Sequence, residues 1–288
     1  MTDCTGCDSA TPDGGCSSTT GCDKAADDKM NKTLNRIKHK IVVMSGKGGV
    51  GKSTVATNVA VALSLAGKKV GLLDVDVHGP SVPRLLSLKG KKPHMGDQIM
   101  EPVSWSKNLS VMSIGFLLEN DRQAVIWRGP IKVTLIKQFV EDVMWGDLDY
   151  LIVDCPPGTG DEPLSTLQML GPTAIAVIVT TPQGVAIDDV RRSVSFVGDV
   201  GNRVLGIIEN MSGFVCPDCG SVHNIFSTGG GEDLAKEAGV QFLGRIPLDP
   251  EVAHSGDEGF PFMKVHRDTP TGNAMKEIIA PMLALDNA

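Results

Sequence analysis

The chain has 288 residues, 41% hydrophobic and 21% charged, enough to bury and solubilise a substantial core. Its 27 basic and 34 acidic residues give a formal charge of −7, which argues against an electrostatic nucleic-acid footprint, and no apolar run approaches the ~18 residues of a membrane span. The start, MTDCTGCDSATPDGG, has neither a basic n-region nor an apolar stretch, so no secretory signal is expected and the location is expected to be cytoplasmic.

Before Leu34 there is no Val, Ile, Leu, Phe, Tyr or Trp. Residues 1–35 therefore have little apolar surface to offset the entropy of ordering, and they read as a flexible, Cys-rich tail. From there the pattern changes. Continuous Val/Ile/Leu runs predict strands at Ile41–Ser45, Lys69–Asp74, Leu109–Ile114, Tyr150–Asp154, Ala174–Val179, Val204–Glu209 and Phe242–Ile246, as expected of strands covered on both faces. Amphipathic stretches predict helices at Ser53–Ala66, Ile131–Val143, Ala186–Gly198, Gly231–Ala238 and Thr271–Leu285. This alternation implies an α/β domain over 36–288: a doubly wound, mostly parallel sheet flanked by helices. Segment 88–108 and the insertion 211–226 fit no βα unit.

After the first strand comes Gly46-Lys47-Gly48-Gly49-Val50-Gly51-Lys52-Ser53-Thr54. These residues fit both the dinucleotide fingerprint G-x-G-x-x-G and the phosphate loop G-x-x-x-x-G-K-[ST]. Only the second reading uses Lys52, which reaches the β/γ-phosphates, and Ser53, which ligates Mg²⁺. It also calls for an acid at the end of another strand, and Tyr150-Leu-Ile-Val-Asp154 supplies one. A P-loop binding ATP with Mg²⁺ is therefore expected. Lys47 is an extra cation that an isolated P-loop does not require.

With that lysine, the loop is similar to the deviant Walker A of the SIMIBI ATPases, the class of the nitrogenase iron protein and the septum-positioning proteins. There the early lysine crosses a two-fold axis to the partner's phosphates, so the resemblance implies a homodimer. Asp74-Val-Asp76-Val-His-Gly-Pro-Ser81, Asp154-Cys-Pro-Pro-Gly-Thr-Gly-Asp161 and Glu209-Asn210-Met211-Ser212, with Cys216-Pro-Asp-Cys219 beyond, narrow it. Over roughly 38–285 the chain resembles the Mrp/ApbC family of iron–sulfur cluster carrier ATPases. The resemblance implies catalytic roles for Lys47, Lys52 and Asp76, the last orienting the attacking water. It also implies Asp74 close to the metal's shell, Asp154 holding Mg²⁺ through water and Asn210 against adenine. Asp161 and Glu162 read equally well as the start of a helix.

The seven cysteines, at 4, 7, 16, 22, 155, 216 and 219, form an odd set in a chain expected to be cytosolic, which favours metal or redox chemistry over a disulfide framework. Cys216 and Cys219 make half of a four-ligand site, and two copies of the pair in a dimer would complete it. The resemblance implies a 4Fe–4S cluster bridging the subunits there. An incomplete zinc knuckle, with His223 as a further ligand, and a redox dithiol are the other readings. Cys4, Cys7, Cys16 and Cys22 differ in spacing from the N-terminal Cys-x13-Cys-x2-Cys-x5-Cys site of the family's eukaryotic-type members. An Fe–S cluster, zinc and no persistent metal all stay open for them. Cys155 reads as a small core residue. The expected function is slow ATP hydrolysis by a homodimer that takes an Fe–S cluster from an upstream scaffold and passes it to apo-proteins, with no nucleic-acid or membrane partner. A spatial-organising partitioning ATPase and a nucleotide-gated electron-transfer protein are the alternatives.

Overall fold

A computed structural model describes residues 29–287 apart from 97–98, 119–128, 217–218 and 220. Cys4, Cys7, Cys16 and Cys22, with most of the tail 1–35, lie outside the described residues. The elements run β1 (Ile37–Ser45), α1 (Lys52–Leu65), β2 (Val70–Asp74), α2 (Val82–Leu85), β3 (His94–Met95), β4 (Met100–Glu101), β5 (Val103–Ser106), β6 (Leu109–Ser113), α3 (Gly129–Glu141), β7 (Leu148–Asp154), α4 (Asp161–Leu170) and β8 (Ala174–Thr180). They continue through α5 (Gly184–Val200), β9 (Arg203–Asn210), β10 (Phe214–Val215), β11 (Val222–His223), α6 (Gly230–Ala238), β12 (Gln241–Ile246), α7 (Pro250–Glu258), α8 (Phe262–Val265) and α9 (Pro270–Leu283).

Eight strands form one sheet in the order β12-β9-β8-β1-β7-β2-β6-β5. Neighbours are parallel except at the edge, where β5 runs antiparallel to β6. Helices cover both faces, which is why the central strands read as unbroken apolar runs rather than alternating ones. Helix α1 shows the same logic. Val55–Ser64 are all buried, so it carries no polar stripe and lies packed between the sheet and α9. At the other end of the sheet the buried Tyr150 hydroxyl donates to the Met282 carbonyl (3.0 Å) and secures the C-terminal helix.

All seven predicted strands and five predicted helices are present. The helix α4 begins at Asp161 with Gly160 as its N-cap, so Asp161 and Glu162 form an acidic first turn that suits the helix dipole. Pattern reading missed α7, although Asp249 followed by Pro250 is a helix-start signal: the Asp249 side chain accepts from Glu251 N. Segment 88–108 holds the β3–β4 hairpin and the antiparallel edge strand, too short and irregular to read by periodicity.

Register explains how distant residues meet. On neighbouring parallel strands Asp74 pairs with Asp154, and Val43, two residues before the end of β1, pairs with Asp154 as well. The carboxyl ends of β1, β2 and β7 thus line one crevice, where open α/β sheets place their ligands.

Candidate functional site

The predicted phosphate loop joins β1 to α1. Gly51 is the N-cap of α1 in the left-handed region (φ 81°) and no side chain caps the helix. By contrast, Thr269 caps α9, accepting from Gly272 N. The first N–H groups of α1 therefore stay available, and with the helix dipole they make an anion cradle. Gly46 is needed for a different reason: a Cβ there would lie 2.6 Å from the Asp189 backbone. The loop opens into a cavity of about 230 Å³ lined by Lys47, Gly48, Gly49, Gly51, Lys52, Ser53, Thr54 and Asp76.

Beneath the cradle sits a buried cation among carboxylates. Lys52 Nζ lies 2.5 Å from Asp154 Oδ1, 3.8 Å from Asp76 Oδ2 and 3.1 Å from Ser53 Oγ. Burial alone would lower its pKa; Asp154, Asp76 and Asp74 outweigh that and hold it above the ordinary lysine value. Asp74 is fully buried and accepts from Ser113 Oγ (2.9 Å), Asp76 N (3.1 Å) and Val82 N (3.4 Å). Burial, then the Asp154 charge, push it up to about 8. Asp154 is raised too, by burial working against Lys52. Its second oxygen, Oδ2, is buried with no hydrogen-bond partner among the described residues. That orphan acceptor, with the Ser53 hydroxyl close by, fits a hydrated divalent cation.

Asp74 gives a pH prediction. Its carboxyl holds a proton more tightly in the folded state than at its ordinary 3.8. The stability this contributes is present at low pH and is lost as pH rises from about 4 towards 8. The melting temperature of Asp74→Asn, measured without nucleotide, should therefore gain on that of the wild type as pH rises through this window. A constant difference would contradict the assignment.

The other predicted ligands are placed as follows. Asn210, at the end of β9, donates from Nδ2 to the Val50 carbonyl (2.9 Å). Lys47 has no ion-pair partner among the described residues and lines the cavity. Cys155 is buried, and burial pushes its thiol up to about 12, the state of an inert core thiol. Cys216 and Cys219 sit elsewhere, on the two-stranded hairpin β10–β11, where Cys216 N donates to Ser221 O (2.9 Å) and Cys219 Sγ donates to Ser221 Oγ (3.3 Å). Once the thiol ionises, the Ser221 hydroxyl and backbone N–H can donate to the sulfur instead, which holds the exposed Cys219 below its ordinary pKa. Val215, Val222 and Ile225 around them are exposed. Among the described residues no three His, Cys, Asp or Glu side chains gather to hold a metal, and no helix is long and apolar enough to cross a membrane.

The family model of the ParA-type NUBPL iron-transfer P-loop NTPases matches residues 36–283. The chain belongs to that family. It is 52% identical over 255 residues to the cytosolic Fe–S cluster assembly factor NUBP2 of Bos taurus, covering 87% of this chain and 94% of that protein. It is 46% identical over 280 residues to the iron-sulfur cluster carrier protein of Methanocaldococcus jannaschii, 97% and 96% of the two chains. Among solved structures it is similar to a nucleotide-binding protein of Archaeoglobus fulgidus in complex with ADP (TM-score 0.72, 40% identity, 81% and 91% covered). Its likeness to the Pyrococcus furiosus cell division ATPase MinD, at 22% identity and TM-score 0.62 over 86% and 99%, is one of fold.

Two groups in this NUBPL-family chain escaped motif reading. The buried Lys132 on α3 lies 2.8 Å from both His78 Nε2 and Glu162 Oε1, tying the loop after Asp76 to the first turn of α4. Its hydrogen bond holds Glu162 below the usual carboxylate range. No spacing signals this, because the three come from separate elements. Glu209, fully buried at the end of β9, accepts from Ser212 Oγ (2.5 Å), Gly229 N (3.0 Å), Gly231 N (2.6 Å) and Arg245 Nε (3.3 Å). It stands inside a segment the motifs singled out, but burial and partners come only from the fold.

Proposed function

We propose that this NUBPL-family NTPase is a cytoplasmic, homodimeric ATPase that hydrolyses Mg²⁺·ATP slowly. It takes an Fe–S cluster from an upstream scaffold, holds it between the Cys216/Cys219 pairs of two subunits and delivers it to apo-proteins. The observation that carries this is the thiol pair on its own hairpin, Cys216 part-exposed and Cys219 exposed, with exposed Val215 and Val222 in the hairpin strands, in a P-loop NTPase of an iron-transfer family. Two thiols are half of a four-ligand set, and two-fold symmetry supplies the other half. The names of the relatives, a cluster assembly factor and a cluster carrier, support the same reading.

At the nucleotide end, the backbone N–H groups of 48–54 and Lys52 bind and orient the phosphates, and Lys47 reaches across to the partner's nucleotide. Asp76, beside Lys52, positions the attacking water, and Asn210 borders the base. Ser53 and Asp154 would hold Mg²⁺, which when bound neutralises charge developing on the phosphates. Cys4, Cys7, Cys16 and Cys22 form a second, N-terminal cluster site.

Anaerobic reconstitution followed by iron analysis tests the thiol assignments. Cys216→Ala/Cys219→Ala protein should lose the shared cluster's iron and its visible absorption, while replacing the four N-terminal cysteines should remove a separate increment. Unchanged iron per dimer in the first variant would sink the bridging site.

A further inference from the structure

Between the P-loop and the cysteine hairpin lies a continuous run of contacts. It starts at the Val50 carbonyl, which accepts from the Asn210 amide (2.9 Å). The space a Gly51 side chain would occupy is taken by that same amide. Any rearrangement of the loop at Val50–Gly51 therefore bears on the end of β9. The adjacent Glu209 then holds both feet of the hairpin segment. Ser212, entering it, and Gly229, leaving it, donate to one oxygen, while Gly231 N at the start of α6 donates to the other. The entering foot is pinned further by Ser212 N to Ile246 O (3.0 Å) and Leu248 N to Gly213 O (2.7 Å). A buried carboxylate is costly unless its lone pairs are satisfied. Most of its donors belong to the two feet, so Glu209 cannot shift without moving both together.

We propose that Glu209 is a positioning residue that couples the nucleotide state of the P-loop to the posture of the Cys216/Cys219 hairpin. In its functional consequence, control of cluster hold and release by ATP, the proposal rests on the thiol pair being the cluster site. The coupling itself does not. Glu209→Gln keeps the shape but swaps one acceptor oxygen for an amide that cannot accept, so either Gly231 N at the start of α6 or Gly229 N at the leaving foot loses its acceptor and the shared grip is broken.

The test is site-resolved alkylation by iodoacetamide of the full-length, cluster-free protein, read by mass spectrometry at Cys216 and Cys219 with and without saturating Mg²⁺·ATP. In the wild type, ATP should change the rate by at least ~5-fold, the lower end of typical site-to-site coupling. In Glu209→Gln the two rates should converge while ATP affinity stays within about threefold, well under the factor of ten that separates 1.4 kcal/mol. Should Glu209→Gln fail to fold, Ser212→Ala should diminish the ATP effect and Ser212→Thr, which keeps the hydroxyl donor, should restore it. No ATP effect in the wild type, an effect that survives Glu209→Gln, or failure of threonine to rescue would each overturn the proposal. Because cluster-free thiols are read, this outcome is separate from the iron analysis of the cysteine variants.

Discussion

Replacing Lys52 by methionine is expected to abolish ATP turnover, by at least ~100-fold, the scale on which removing one preorganised charge-stabilising donor acts. The reason is visible beneath the loop. Lys52 sits among Asp74, Asp76 and Asp154, 2.5 Å from the last, and in the proposed function its ammonium exchanges that carboxylate for phosphate oxygens. Methionine preserves the buried stem, and Asp74 carries its proton at neutral pH, so the acidic cluster is not left fully charged and the fold should persist. Lys47→Ala makes the informative contrast. Lys47 is part-exposed and has no ion pair among the described residues, so nucleotide binding should survive while turnover is lost, as a lysine that acts across a dimer requires. Phosphate release and ATP titration calorimetry on both variants separate the roles. Turnover within threefold of wild type in Lys52→Met would refute the first role, and unaltered turnover in Lys47→Ala the second.

Gly51→Ala is the second large expected effect, and Gly49→Ala is its control. Both glycines have the left-handed backbone, φ 81° and 82°, which costs an L-residue roughly 1–2 kcal/mol. Their surroundings differ. A Cβ at Gly49 meets nothing within 4 Å, whereas one at Gly51 overlaps the Asn210 amide. Gly49→Ala should therefore show the backbone strain alone, a fall in melting temperature of a few degrees. Gly51→Ala should add displacement of Asn210 and of the loop, and weaken ATP binding at least ~10-fold, about 1.4 kcal/mol. Adding Asn210→Ala should recover part of the stability lost in Gly51→Ala. Equal melting temperatures for the two glycine variants would show that the Asn210 packing is immaterial.

Much of this site is written locally. The run Gly46–Thr54 specifies a strand, a cradle and a helix start within one stretch of chain, and the glycines and Lys52-Ser53 reveal the ligand class because phosphate binding uses consecutive backbone groups. The parallel sheet is legible for a related reason, since strands covered on both faces must be apolar throughout. The Cys216-Pro-Asp-Cys219 pair stands out in the sequence as a candidate half-site because two thiols three residues apart can share a metal. The short β3–β4 hairpin, α4 and α7 were harder, since brief or Pro-interrupted segments leave too few residues for a period to emerge.

The sequence by itself determined the α/β class, the phosphate loop with its second lysine, and the likeness to cluster-carrying ATPases, because each depends on residues close together in the chain. Only the tertiary structure decided which acids surround Lys52, that Asp154 keeps a buried oxygen with no partner among the described residues, that Lys132 ties the loop after Asp76 to the first turn of α4, and that Glu209 grips both feet of the cysteine hairpin. Strand order and register bring residues 52, 74, 154 and 209 within reach of their partners, and burial together with neighbouring charges shifts the proton affinity of Lys52, Asp74 and Asp154. Neither is a property of any short stretch of sequence.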